Sequence, residues 1–185
     1  MSAAQWLSGG GLAGTWSRVE GVDLAVLTGV QSATRATPVR AASRMLSRAG
    51  EHALAPVALG LLGAAVDRPR QGAWLRATGT VAASHLLSVV LKRVVRRGRP
   101  VDLRVEVLVP VPSRWSFPSS HATSTTAAAV AYGRVLGRRL PWVAVGPMAL
   151  SRLVLGVHHP TDVAAGVLLG VLAGTSVDPG PGGTP

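Results

Sequence analysis

The sequence contains no cysteine, few aromatic residues and few charges. Of its 185 residues, 4% are aromatic and 15% are charged, and Lys92 is the single lysine. Without cysteine, a disulfide framework and a thiolate zinc site are excluded. The charged fraction lies well below the quarter that is usual in soluble domains, which argues against that class. With 48% hydrophobic residues, most of the chain is too apolar to be disordered.

The abundant residues are Ala, Val, Leu and Gly, which suit helices that pack closely in lipid. Segments 52–66, 73–91, 121–136, 140–157 and 161–177 have the length of short or ordinary membrane spans. We therefore expect an all-α, multi-pass transmembrane helical bundle of about five spans in the cell membrane. Residues 1–178 would form one membrane-embedded domain. The Pro/Gly-rich residues 179–185 would form a disordered tail.

Residues 1–50 predict amphipathic or interfacial helices rather than a span. The apolar stretch 22–30 is short and is interrupted by Asp23, and it lacks the pattern of a signal peptide. Further on, Arg40, Arg44 and Arg48 recur at every fourth residue. This spacing gives a helix one basic face, and such a helix can lie in the membrane interface.

The formal net charge of +11 raises the question of a nucleic-acid partner. However, the arginines fall between apolar stretches, and no aromatic residues interleave them as a stacking platform requires. We therefore expect no nucleic-acid partner. The placement favours membrane lipids and a phosphorylated lipid as partners. The sequence leaves the oligomeric state open.

If the spans alternate in direction, four of their ends lie on the same side of the membrane. These are the end of the second span, the start of the third, the end of the fourth and the start of the fifth. Three polar clusters lie at these ends. In the first, Lys92 and Arg99 offer an ammonium and a guanidinium, which bind phosphate as a point charge and as a two-pronged donor. In the second, Ser119, Ser120 and His121 begin a helix, where free backbone N–H groups favour an anion.

The third cluster combines an arginine inside an apolar segment with a histidine and a carboxylate. Arg152 is costly within a span and by default marks a functional site. His158 and Asp162 can form a carboxylate–imidazole pair, which orients the ring and raises its basicity. Taken singly, each cluster also fits a structural role: a basic helix end at the headgroups, a serine-capped helix, or an interfacial turn.

Together, Lys-x6-Arg-Pro, Pro-Ser-x-His and Ser-Arg-x5-His-x3-Asp resemble the three-part signature of the type 2 phosphatidic acid phosphatase superfamily. The resemblance implies that His158 attacks phosphorus to form a phosphohistidine and that Asp162 orients it. His121 would protonate the leaving alcohol and then activate water. The phosphate would be held by the remaining predicted residues: Lys92, Arg99, Arg152, Ser119 and the backbone at Ser120.

This sequence departs from the common form of the second motif, because Ser120 stands where glycine is usual. A serine still supplies its backbone N–H, so the predicted activity is retained. Close approach of the backbone at this position is less certain. His159 adjoins His158, but the spacing to Arg152 and Asp162 favours His158 as the nucleophile.

We expect metal-independent hydrolysis without a cofactor, because no cluster of carboxylates is present to hold magnesium or calcium. The resemblance implies a lipid-linked, polyprenyl substrate in cell-wall precursor synthesis. Phosphatidylglycerophosphate, phosphatidate and polyprenyl diphosphates remain alternatives. So do phosphotransfer to another acceptor, vanadate-dependent oxidation and, in a different class, a non-catalytic protein that binds anionic lipid.

The distribution of arginines bears on which side of the membrane the site faces. With residues 1–50 placed on the side of the site, only six basic residues fall on the other side: Arg68, Arg70, Arg76, Arg134, Arg138 and Arg139. The positive-inside rule then favours a site that faces the cytoplasm. The resemblance favours the outer face, where many bacterial relatives act.

Overall fold

The computed structural model describes residues 12–138 and 140–179, with seven α-helices in this part of the chain. They are α1 (Leu12–Ala33), α2 (Thr37–Ala49), α3 (Leu54–Val66), α4 (Gln71–Val95), α5 (Ser120–Leu136), α6 (Val145–Val154) and α7 (Pro160–Thr175). No strand occurs among the described residues, and the predicted all-α fold is confirmed. Of the predicted disordered tail 179–185, residues 180–185 lie outside the described residues.

Helices α3, α4, α5 and α7 begin within two residues of the predicted positions, whereas α6 begins at Val145, after a 3-10 helix over Leu140–Ala144. Several of these helix ends have local causes. Pro38 occupies the first turn of α2 and Pro160 the first turn of α7, where a missing backbone N–H costs nothing. The Ser119 side chain accepts from the Ala122 N–H at the start of α5. At the end of α5, Gly137 takes the left-handed conformation that closes a helix.

The pair α5 and α7 forms the centre of the bundle, because small residues let their backbones approach closely. A Cβ on Gly166 would lie 2.6 Å from the Ser119 carbonyl oxygen, and one on Gly170 would lie 2.6 Å from that of Thr123. This packing brings the start of α5 against the start of α7. There the Ser119 N–H donates to the Asp162 carbonyl at 3.0 Å.

By length and hydropathy, no single helix in the described part of the chain qualifies as a membrane span. One helix pair bent by 50°, Thr37–Ala49 with Glu51–Val66, does so when taken together. The expected number of spans therefore stays a prediction.

Residues 12–49 form two helices, as expected, and both pack on the bundle rather than standing apart from it. Helix α2 packs along α6, and α1 contacts α6 and α7. The Gln31 side chain of α1 donates to the carbonyls of Glu106, at 2.7 Å, and Val154, at 3.1 Å. Through these bonds α1 holds the loop that joins α4 to α5.

Candidate active site

A cavity of about 760 Å³ lies where α2, α4, α5, α6 and the loops before α5 and α7 converge. Its walls carry most of the side chains that the three motifs predicted: Lys92, Arg99, Ser120, His121, Arg152 and His158. The predicted meeting of the helix ends is therefore present in the structure. Asp162 lies behind His158, fully buried, and does not line the cavity.

The three cations that the motifs predicted converge on this cavity, and each is also bonded to other groups of the protein. The Lys92 ammonium, at the end of α4, donates to the carbonyls of Ser116 at 2.9 Å and Pro118 at 2.7 Å. Arg99 donates to the carbonyls of Ser113 and Val157. An ammonium has three N–H donors and a guanidinium five, so both retain donors for an anion.

Arg152 of α6 is buried, with only 2% of its surface exposed. Its Nε donates to Ser151 Oγ and its Nη1 to Ser47 Oγ, each at 3.1 Å. Its Nη2 has no partner among the described residues. A buried donor without a partner is costly, and an anion in the cavity would satisfy it.

His158 lies in the loop between α6 and α7, with its Nδ1 3.6 Å from Asp162 Oδ2. This leaves Nε2 as the ring atom available to attack. Burial lowers the pKa of His158 to about 3; Asp162 opposes this shift, while Lys92 and Arg99 add to it. The imidazole is therefore neutral at neutral pH, as a nucleophile must be.

His121, in the first turn of α5, has its Nε2 2.9 Å from the Ser47 carbonyl oxygen. A carbonyl can only accept, so Nε2 carries a proton and Nδ1 is the ring atom left for proton transfer. Ser47 thus contacts both His121, through its carbonyl, and Arg152, through its hydroxyl. The motifs did not predict this contribution from α2, because Ser47 is one serine among many in the sequence.

Ser119 and Ser120 are placed differently from each other. Ser119 is fully buried and caps α5, and its N–H is bonded to Asp162; it does not line the cavity. Ser120 does line the cavity, and its buried hydroxyl has no partner within the described chain. The geometry gives Ser119 a capping role and places the Ser120 hydroxyl at the cavity, while the phosphate contact of Ser119 stays a prediction.

Two charged residues behind His158 also escaped the sequence analysis. Arg97, in the loop after α4, contacts Asp162 and Asp23, the buried carboxylate of α1. Arg97 could not be told apart from its arginine neighbours in the sequence. Asp23 did carry a signal, because an acidic residue inside an apolar stretch is costly unless it has a partner.

The comparisons with known proteins agree with this geometry. The PAP2 superfamily profile matches residues 73–177. The chain is 49% identical over 162 residues to decaprenylphosphoryl-5-phosphoribose phosphatase of Mycobacterium tuberculosis, covering 87% of this chain and 92% of that protein. It is 50% identical over 143 residues to the protein of that name from Mycolicibacterium smegmatis, covering 77% and 79%.

Lipid A 1-phosphatase of Rhizobium etli is 34% identical over 99 residues, covering 49% of this chain and 43% of that protein. Among solved structures, the fold is similar to that of a transmembrane PAP2-type phosphatidylglycerolphosphate phosphatase from Bacillus subtilis. The TM-score is 0.50 and the identity 24%, covering 85% of this chain and 93% of that chain. All of these relatives are named as phosphatases. The family predicted from the three motifs is confirmed: this chain belongs to the PAP2 superfamily.

Proposed function

We propose that this chain is an integral membrane phosphatase that removes a phosphomonoester from a polyprenyl-linked substrate through a phosphohistidine intermediate. One observation carries the proposal: a neutral histidine, a second histidine and three cations line the same cavity. The relatives support it, because they are named as phosphatases of a decaprenyl-linked phosphoribose and of lipid A.

In the first step, Nε2 of His158 attacks phosphorus and the bond to the leaving oxygen breaks. His121 enters this step as an imidazolium, a charge that the bound phosphate stabilises. Its Nδ1 proton goes to the leaving oxygen, and the ring is left neutral with Nε2–H still bonded to Ser47. In the second step, His121 accepts a proton from water, the hydroxide attacks phosphorus, and the phosphorus–nitrogen bond breaks. Lys92, Arg99 and Arg152 hold the equatorial oxygens, where charge spreads in phosphoryl transfer. Preorganised donors of this kind are usually the largest single contribution to such catalysis.

The walls of the cavity support a lipid-linked substrate. The loop after α4 contributes an apolar wall that includes Leu108, Val109 and Val111. Nearer solvent, Arg44, Arg48 and Arg93 are exposed and also line the cavity, together with Glu51. None of the three arginines forms an ion pair within the described residues. They favour a substrate with a second anionic group next to its lipid chain, as in a polyprenyl-phosphoryl sugar phosphate.

The test is phosphate release by the purified protein in detergent with EDTA present. The panel holds a polyprenyl-phosphoryl phosphoribose, a polyprenyl diphosphate, phosphatidylglycerophosphate and phosphatidate. We expect release in EDTA, fastest from the polyprenyl-phosphoryl phosphoribose. Release that EDTA abolishes and one divalent ion restores would contradict metal independence. No release from any member, by a folded protein that still binds these lipids, would instead favour the non-catalytic lipid binder.

We further propose a multi-pass arrangement with the cavity facing the cytoplasm. The basic helix α2 lines the cavity with Arg44 and Arg48, so its charges count on the side of the site, as the positive-inside argument requires. Leu103, in the loop beside the cavity, is fully exposed. Since the chain has no cysteine, Leu103→Cys creates a unique thiol. We expect an impermeant thiol reagent to label it in permeabilised cells only; labelling in intact cells would place the site on the outer face.

A further inference from the structure

Three charged side chains form a buried cluster behind His158, the Asp23–Arg97–Asp162 cluster. Arg97 Nη2 lies 2.6 Å from Asp23 Oδ2, and Arg97 Nη1 lies 2.9 Å from Asp162 Oδ1. Asp23 is 2% exposed and Asp162 is completely buried. The free-energy cost of burying charges is only partly offset by ion pairing. Stability alone is therefore a weak explanation for such a cluster.

The cluster orients Asp162 toward His158. Arg97 binds Oδ1 of Asp162, which leaves Oδ2 to face His158 Nδ1 and to accept the backbone N–H of His159 at 2.9 Å. Bonds at both oxygens restrain the carboxylate from rotating, so Arg97 and the His159 N–H together set the distance between Asp162 and His158. Removal of Arg97 would free Oδ1 and let the carboxylate turn.

Asp23 in turn fixes Arg97 and the start of α7. Its Oδ1 accepts the N–H of Thr161 at 3.0 Å, and its Oδ2 accepts the Thr161 hydroxyl at 2.6 Å. Thr161 directly precedes Asp162. Asp23 lies on α1, outside the matched residues 73–177, so a residue beyond the matched region completes the surroundings of the nucleophile.

We propose that Asp23 and Arg97 are positioning residues, which hold Asp162, and through it His158, in the geometry for attack on phosphorus. The proposal rests on the proposed function, in which His158 is the nucleophile. Neither residue lines the cavity, so neither touches the substrate. Both act on the chemical step rather than on substrate binding.

The charges around His158 predict a change in the pH dependence of activity that a merely structural role would not produce. Three charged groups act directly on His158: Lys92 from α4, Arg99 from the loop and Asp162 from α7. His121 from α5 and Arg152 from α6 line the same cavity. Asp23, Arg97 and His159 lie behind Asp162. His158 must lose its proton before it attacks. Activity therefore falls at low pH as His158 becomes protonated, and this fall is the acid limb of the pH profile. Loss of the Arg97 cation favours the protonated ring and moves this limb to higher pH. Loss of the Asp23 anion moves it to lower pH.

The experiment measures kcat and KM against pH for wild type, Arg97→Met and Asp23→Asn in detergent with EDTA. We expect kcat to fall about 10- to 100-fold in each variant, as small misplacements of catalytic groups do, with KM nearly unchanged. The acid limb is expected to move in opposite directions in the two variants. Arg97→Lys keeps the charge, so it should recover part of kcat and keep the wild-type limb.

Arg96→Met is the matched control, because Arg96 is an exposed neighbour on the same segment and its guanidinium donates to the Arg93 carbonyl, away from Asp162 and Asp23. An acid limb that stays in place in both variants, or moves the same way in both, would overturn the positioning role. If Arg97→Met does not fold, the test uses the two other variants. The acid limb of Asp23→Asn should then move to lower pH and that of Arg97→Lys should stay at the wild-type position; any other result would overturn the positioning role. An inactive wild type would instead overturn the proposed function, so the two failures are distinguishable.

Discussion

Replacement of His158 by alanine is expected to lower phosphate release at least about 10⁴-fold, the loss that follows removal of a nucleophile. The structure gives the physical reason. His158 lines the cavity, is held neutral by burial, and lies in front of the Asp162 carboxylate. Alanine removes the attacking nitrogen and leaves the three cations in place, so substrate binding should persist while turnover stops.

Two quantities are measured: steady-state phosphate release, and the radioactive phosphate that a labelled substrate leaves on the protein. A phosphohistidine label is sensitive to acid and stable to alkali. His159→Ala is the matched control, because His159 adjoins His158 and its side chain does not line the cavity. We expect labelling in wild type and in His159→Ala, and none in His158→Ala. A labelled His158→Ala protein would show that another residue is the nucleophile.

Arg152→Ala is expected to lower kcat/KM by about 10²- to 10³-fold, the loss seen when one preorganised donor to a transition-state oxygen is removed. Arg152 has one nitrogen, Nη2, that is buried and without a partner among the described residues, next to the cavity. Arg152→Lys should recover only part of the loss, because an ammonium cannot reproduce the planar set of guanidinium donors.

The measurement is kcat/KM on the panel member that wild type prefers, together with the melting temperature of each variant in detergent. Arg76→Ala is the control, since Arg76 is an exposed arginine near the start of α4, at the opposite end of that helix from Lys92. We expect Arg76→Ala to match wild type. Equal losses in the two variants would mean that net charge, and not a contact with phosphate, explains the effect of Arg152.

Sequence reasoning located the helices because helix boundaries are encoded locally. Apolar segments separated by Pro, Gly and charged residues predicted α3, α4, α5 and α7 to within four residues, and the arginine spacing at Arg40, Arg44 and Arg48 predicted α2. The segment 140–157 was predicted too long, because it begins with a 3-10 helix over Leu140–Ala144 and α6 covers only Val145–Val154. The predicted site residues could be named because their types and spacings match the three-part signature of the family. Among the residues predicted to bind phosphate, Ser119 is the one that does not line the cavity; it caps α5 instead.

The residues that the sequence did not reveal act across long separations in the chain. Ser47 contacts Arg152 although 105 positions separate them, and Asp23 contacts Thr161 across 138 positions. No spacing rule links such residues, because their proximity follows from how α1 and α2 pack on α6 and α7.

The sequence by itself determined the helical class, the family and six of the residues that line the cavity, since each depends on residue type and local spacing. Only the tertiary structure decided that Ser120 rather than Ser119 lines the cavity, that His121 is bonded to α2, and that Arg97 lies between Asp23 and Asp162. The physical reason is that buried polar groups must find partners. Which partners they find depends on the packing of whole helices.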